Sequence, residues 1–199
     1  MTNSNDYIDY IFDQLSQLNA IRRKRMFGGL GVYRDDLFFA IISDNVLYFK
    51  TDQNNRPDFI SYNMTPFEYR SKGKTVKLDY YPVPDEIIED PDLFQAWVVK
   101  ACNAAREQEQ VQALSQLANI GKTLAQKLNA IGIYDKTQLA HMGAVEAYKK
   151  LQAQSHKTLP VCYYLYSLEG ALRDCHWPKL SEQIKDRLYL QAKGQTRKP

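Results

Sequence analysis

The residues whose types and spacing point most directly to chemistry are Leu117-Ala118-Asn119-Ile120-Gly121-Lys122-Thr123-Leu124-Ala125-Gln126-Lys127-Leu128, followed at once by Ala130-Ile131-Gly132-Ile133. A tight turn through Asn119, Ile120 and Gly121 opens a helix here, and the first N–H groups of a helix have no intrahelical acceptor. Together with the positive end of the helix dipole they bind an anion. Beside the cation of Lys122 that anion is a phosphate, gripped without any base being read. Lys127 is the second side chain offered to such a contact. Asparagine suits position 119 because, after glycine, it best tolerates a left-handed backbone. Gly121 reads as a position of positive φ or of close approach. Packing alone is the competing role for this turn.

Other candidates carry less. Met26-Phe27-Gly28-Gly29-Leu30-Gly31-Val32 has the glycines of a phosphate loop but lacks the Gly-Lys-Ser/Thr ending and sits in a strand pattern, so a bulge or a close backbone contact is expected. Asp85, Glu86, Glu89, Asp90 and Asp92 could pair for acid/base work or hold a cation. Their place just before a helix assigns them to its cap and dipole. Cys175 and His176 are adjacent rather than at ligand spacing, and His141 and His156 lack partners three or four residues away, so no metal site and no cofactor are expected. No Gly-x-Ser-x-Gly elbow or other nucleophile motif is present, and the expectation is a protein that is not an enzyme. A small-molecule enzyme built on the Gly28 to Gly31 region and the acidic cluster is the weaker rival. The run Arg22-Arg23-Lys24-Arg25 has two roles open to it: gripping an acidic partner or a phosphate backbone, or complementing the negative end of the preceding helix. Tyr69, Arg70, Lys72, Lys74, Lys77 and Tyr81 mix cations with rings as single-strand binders do, but an ordinary charged hairpin accounts for them.

Composition sets the frame for these elements. With 199 residues, 44% hydrophobic and 25% charged, the chain can bury one large core or two small ones. It has no apolar run long enough to span a membrane, and its first residues lack a basic, then apolar, leader, so a cytoplasmic protein without membrane association is expected. Three scattered cysteines, Cys102, Cys162 and Cys175, suit a reducing compartment as structural thiols. The net charge of +3 hides an asymmetry: residues 1–105 hold 12 Lys+Arg against 15 Asp+Glu, net −3, and residues 106–199 hold 14 against 8, net +6. The basic half carries the Ile-Gly turns, which favours a polyanionic partner through counterion release.

Periodicity predicts a first helix over 6–20. Strands follow over 26–34, 37–43 and 46–51, separated by Asp35-Asp36 and Asp44-Asn45, then over 67–70 and 75–83 around the turn Ser71-Lys72-Gly73-Lys74. A helix starting at Asp90-Pro91-Asp92 buries Leu93, Phe94, Trp97, Val98, Ala101 and Cys102. The polar run Arg106 to Gln110 has no core signal and marks a boundary between an α+β domain, 1–105, and an all-α domain, 109–199. In the latter, helices are expected near 109–118, 121–130, 135–141, 143–153, 160–174 and 180–192, with a frayed basic tail from Gly194.

The Asn119 to Leu128 pattern resembles the helix-hairpin-helix module of DNA-handling proteins, with Asn119 where that module has glycine. Two larger blocks resemble the TfoX/Sxy family of competence regulators. Arg25 to Tyr33, with Phe39-Ala40 and Leu47-Tyr48-Phe49-Lys50, is similar to the family's N-terminal domain. Leu117 to Gly143 with Ala144 to Tyr148, and Tyr166 to Arg173 with His176-Trp177, are similar to its C-terminal domain. The resemblance implies a cytoplasmic transcriptional coactivator that is a positive regulator of natural transformation. It further implies action with the cyclic AMP receptor protein, or with RNA polymerase, at the promoters of DNA-uptake genes. A general, sequence-nonspecific DNA-binding accessory protein is the alternative suggested by the hairpin alone, and a homodimer is open to either.

Overall fold

The short polar residues between the apolar stretches of the first half do what their side chains permit. Asp35 (φ 56°), Asp44 (φ 52°) and Asn45 (φ 57°) take left-handed backbone conformations, which tight hairpins need and which Asp and Asn tolerate. The computed structural model describes residues 4–26, 28–71 and 73–195. In it these turns join β2 (Gly29–Arg34), β3 (Leu37–Ser43) and β4 (Val46–Lys50), and a turn at Gly28 joins β1 (Ile21–Met26) to β2, into an antiparallel meander. The strand β7 (Tyr80–Pro82) pairs antiparallel with β4, giving a five-stranded sheet in the order β1-β2-β3-β4-β7. Gly29 is held at a close approach: a Cβ there would stand 2.4 Å from the Ile42 carbonyl oxygen. A bulge follows at Val32/Tyr33. The close contact and the bulge are as expected, but the single strand expected over 26–34 is not: β1 ends at Met26, Gly28 turns the chain with φ 78°, and β2 starts at Gly29.

One face of this sheet, with Val32, Ala40, Leu47 and Phe49, packs with Ile11 and Leu15 from the N-terminal helical segment and with Phe94, Trp97, Val98 and Ala101. The helix α1 (Ser4–Gln14) supplies Ile11, and α4 (Pro91–Ser115) supplies the last four. The opposite face buries Ile41 and Tyr80 against Phe67, which leads into the hairpin of β5 (Glu68–Ser71) and β6 (Lys74–Lys77).

The chain divides into two compact units, Met1–Arg106 and Glu107–Pro199. The second is helical: the C-terminal turns of α4, then α5 (Lys122–Ala130), α6 (Lys136–Met142), α7 (Ala144–Ala153), a π-helical turn Cys162–Tyr166 running into α8 (Ser167–Leu172), a 3₁₀ turn Trp177–Lys179 and α9 (Glu182–Lys193). Leu114, Leu128, Ile133, Leu139, Tyr148, Leu165 and Leu168 form its core. The Tyr148 hydroxyl donates to the Leu159 carbonyl at 2.9 Å. An α+β fold is therefore what the molecule has: an antiparallel sheet with helices, then a helical region.

Several elements differ from expectation. The first helix stops at Gln14: beyond Leu15 the Ser16 and Leu18 N–H groups bond three residues back, to Asp13 and Leu15, and Ala20 with φ 62° then leads the chain into β1. The expected strand 75–83 is two strands: Leu78 N–H donates to the Phe67 carbonyl and Asp79 accepts from Thr51 N–H, so the chain leaves β5 and returns to β4 within two residues. The segment around Arg56-Pro57 is the helix α2 (Arg56–Ser61), with proline in its first turn, where the missing N–H is harmless. Asp85–Glu89 forms a further short helix, α3. The separate helix expected at 109–118 is the end of α4, which runs unbroken through Arg106 to Gln110. Those residues contain no Gly or Pro and are good helix formers. Lys72, the Arg70 side chain and the tail beyond residue 195 lie outside the described residues.

Candidate nucleic-acid interface

The turn into α5 is built around Asn119. Its φ of 67° reverses the chain after α4, and its amide makes two long-range bonds: Nδ2 donates to the Cys175 carbonyl at 2.8 Å, and Oδ1 accepts from the Trp177 N–H at 3.0 Å. The facing residue is Gly170, where a Cβ would lie 2.5 Å from Asn119 Nδ2 and 2.7 Å from the Cys175 oxygen. The Asn119 side chain thus ties the start of α5 to the segment following α8. Only the turn preference of Asn119 is visible in the sequence. The bonds join residues 56 and 58 positions apart, a pairing that no local spacing reveals.

Gly121 is the N-cap of α5, and here the expectation of positive φ is corrected: φ is −87° and ψ 168°, an extended conformation open to any residue. A Cβ would meet nothing within 4 Å. What glycine leaves at this position is open approach to the helix start. The first intrahelical bond is Ala125 N–H to the Gly121 carbonyl, so the N–H groups of Lys122, Thr123 and Leu124 precede the ladder. Lys122 is exposed in this first turn. Lys127, five residues on, points about 140° further round the helix. It is half-buried, with its ammonium 5.4 Å from the centre of the Tyr164 ring, a cation–π contact. The structure therefore brings Asn119, Gly121 and Lys122 together and sets Lys127 on another face. The second Ile-Gly pair leads to α6, capped by Asp135 through a bond from Gln138 N–H at 2.8 Å; its first residue, Lys136, pairs with Asp174.

The basic run 22–25 is not a helix-end cluster. It is β1, an edge strand, so helix-dipole complementation is replaced by strand alternation. Arg23 and Arg25 lie opposite Val32 and Leu30, on the face that packs with α1. Arg22 and Lys24 lie opposite Tyr33 and Gly31, on the other. All four are exposed. Arg22 bonds the Asp35 carbonyl and the Asp36 carboxylate, and the Arg23 guanidinium lies over Phe12 at 5.4 Å. An edge strand made almost wholly of cations shows no apolar alternation, which is why it did not read as a strand.

The acidic cluster caps: Asp90 Oδ1 accepts from Asp92 N–H at 3.0 Å and Leu93 N–H at 3.1 Å. In the charged hairpin, Lys77 pairs across the strands with Glu68 at 2.7 Å, and that bond holds the ammonium pKa up. All three cysteines are free, and burial pushes the Cys102 thiol up. No helix among the described residues is long and apolar enough to cross a membrane.

Comparison with known proteins adds the ancestry. Residues 13–105 match the TfoX N-terminal domain, and residues 110–192 match the TfoX C-terminal domain. The chain is 24% identical over 187 residues to the DNA transformation protein TfoX1 of Aliivibrio fischeri, covering 91% of this chain and 89% of that protein. It is 25% identical over 168 residues to protein Sxy of Escherichia coli, covering 82% and 79% respectively. With both domain matches in order along one chain, this protein belongs to the TfoX/Sxy family.

Proposed function

We propose that this protein is a positive regulator of natural competence, acting in the cytoplasm as a transcriptional coactivator with the cyclic AMP receptor protein at promoters of DNA-uptake genes. Family membership and a relative named as a DNA transformation protein support the competence role. The observation that carries a DNA contact is the start of α5: an uncapped helix N-terminus, sterically open at Gly121 and flanked by exposed Lys122. In this reading the turn is a helix-hairpin-helix element, the N–H groups after Gly121 meet a phosphate and Lys122 a neighbouring one. Such contacts fix position on a duplex without reading its sequence, so promoter choice belongs to the receptor protein. Asn119 and Lys127 hold the element in place through Cys175, Trp177 and Tyr164. A small-molecule enzyme gains no support. The cleft beside Gly28 and Gly29 is lined by Asp9 and Asp44, with none of the residues 85–92 among its walls.

The test is transcript profiling of a strain deleted for the gene and complemented with the wild-type protein, with and without the cyclic AMP receptor protein. DNA-uptake transcripts should rise only when both are present. A rise that is independent of the receptor protein would favour a general DNA-binding accessory role.

A further inference from the structure

At the end of the sheet where β1 meets β2, a cleft of about 850 Å³ opens beside α1, a volume in the range of small-molecule sites. Leu30 and Ile42 give it apolar walls, and Arg23 and Arg25 both line it, as their shared face of β1 requires. Among the described residues neither guanidinium forms an ion pair, and Arg25 makes no side-chain hydrogen bond. Asp44 and Asn45 line the cleft from the β3–β4 turn. That turn lies two strands from β1, about 10 Å at ordinary strand spacing. Asp9 joins them from α1. The cleft therefore holds two cations at one side, and the Asp44 carboxylate with the Asn45 amide a small molecule's length away.

We propose that this cleft binds a small phosphorylated polyol, of the size of a pentose or hexose phosphate. The forked donors of two arginines match phosphate oxygens bidentately. Ionised carboxylates only accept hydrogen bonds, so the far end of the ligand must present donors, and sugar hydroxyls do so without adding charge. A bare phosphate meets only the arginine side and a neutral sugar only the Asp44–Asn45 side, so a molecule carrying both ends makes the most contacts in the cleft. The first unit is then a receptor for a metabolite, independent of any contact made by α5.

Titration calorimetry on the full-length protein tests this with ribose 5-phosphate and glucose 6-phosphate, against inorganic phosphate and ribose. At least one sugar phosphate should bind, with each fragment weaker by about tenfold or more. Arg25→Ala and Asp44→Asn should each weaken it by about tenfold, the loss of one charge-assisted contact. Arg25 is an exposed strand residue, and asparagine tolerates the left-handed backbone of position 44, so both variants should keep the wild-type melting temperature. The proposal is overturned if neither sugar phosphate binds at about 10 mM, if inorganic phosphate binds as tightly as either, or if folded Arg25→Ala binds as wild type does.

Discussion

Asn119 does two jobs that can be separated by substitution. Asn119→Gly keeps the left-handed turn and removes both bonds to the Cys175–Trp177 segment. It should lower stability by about 1 to 3 kcal/mol, since two half-buried backbone groups lose their partners. Asn119→Ala adds the left-handed strain of a Cβ, about 1 to 2 kcal/mol more. Denaturant midpoints of the three proteins give the order Asn, Gly, Ala; equal midpoints for Asn and Gly would show that the bonds stabilise nothing. Cys102 offers a second test at this scale. Burial favours its protonated form, so the folded state retains a proton that the unfolded chain gives up at the ordinary thiol pKa. The resulting stability is complete below that pKa and is lost as pH rises through the raised folded value. Cys102 should accordingly resist alkylation in the native state at about pH 8, while Cys162 and Cys175, both partly exposed, react first. Modification of all three at one rate would contradict its burial. The turn preference of Asn119 was legible in the sequence; its partners were not, because the carbonyl of Cys175 carries no residue-type signal.

At the scale of elements, α5, α6, α7 and α9 were legible to within about two residues at each end, because Gly121, Gly132, Gly143 and the capping residues Asp135 and Ser181 punctuate apolar stripes. The meander was legible because its buried strands alternate or run apolar between Asp and Asn turns. Failures occurred where polarity concealed structure. β1 is charged because it is an edge, and Arg106 to Gln110 is polar because that stretch of α4 presents much of its surface to solvent, not because the chain is irregular. The continuity of α4 has a direct consequence. Gln108→Pro removes a helix-interior N–H and clashes with the preceding turn, so it should destabilise by about 3 kcal/mol. A flexible linker would absorb the same change almost without loss, and an unchanged melting curve would reinstate it.

Across the whole molecule, the sheet's two edges are poor templates for another strand. β1 carries Arg22, Arg23, Lys24 and Arg25 in succession, so β1 of a second copy would be repelled. β7 is three residues long and ends in Pro82, which has no N–H to donate. Extension of the sheet is thus disfavoured at both sides, and an assembly partner for β1 must bring acidic charge. Charge is divided unevenly, net −3 over residues 1–105 and net +6 over residues 106–199, with the α5 turn in the basic part. Contact of this turn with phosphate is measured by the salt dependence of duplex binding by wild type and Lys122→Glu. If Lys122 is a phosphate contact, the variant binds more weakly at every sequence, and its slope of log affinity against log salt is shallower by about 1. A correctly folded Lys122→Glu protein with unchanged affinity and unchanged slope would contradict the account and assign the turn to packing or protein docking.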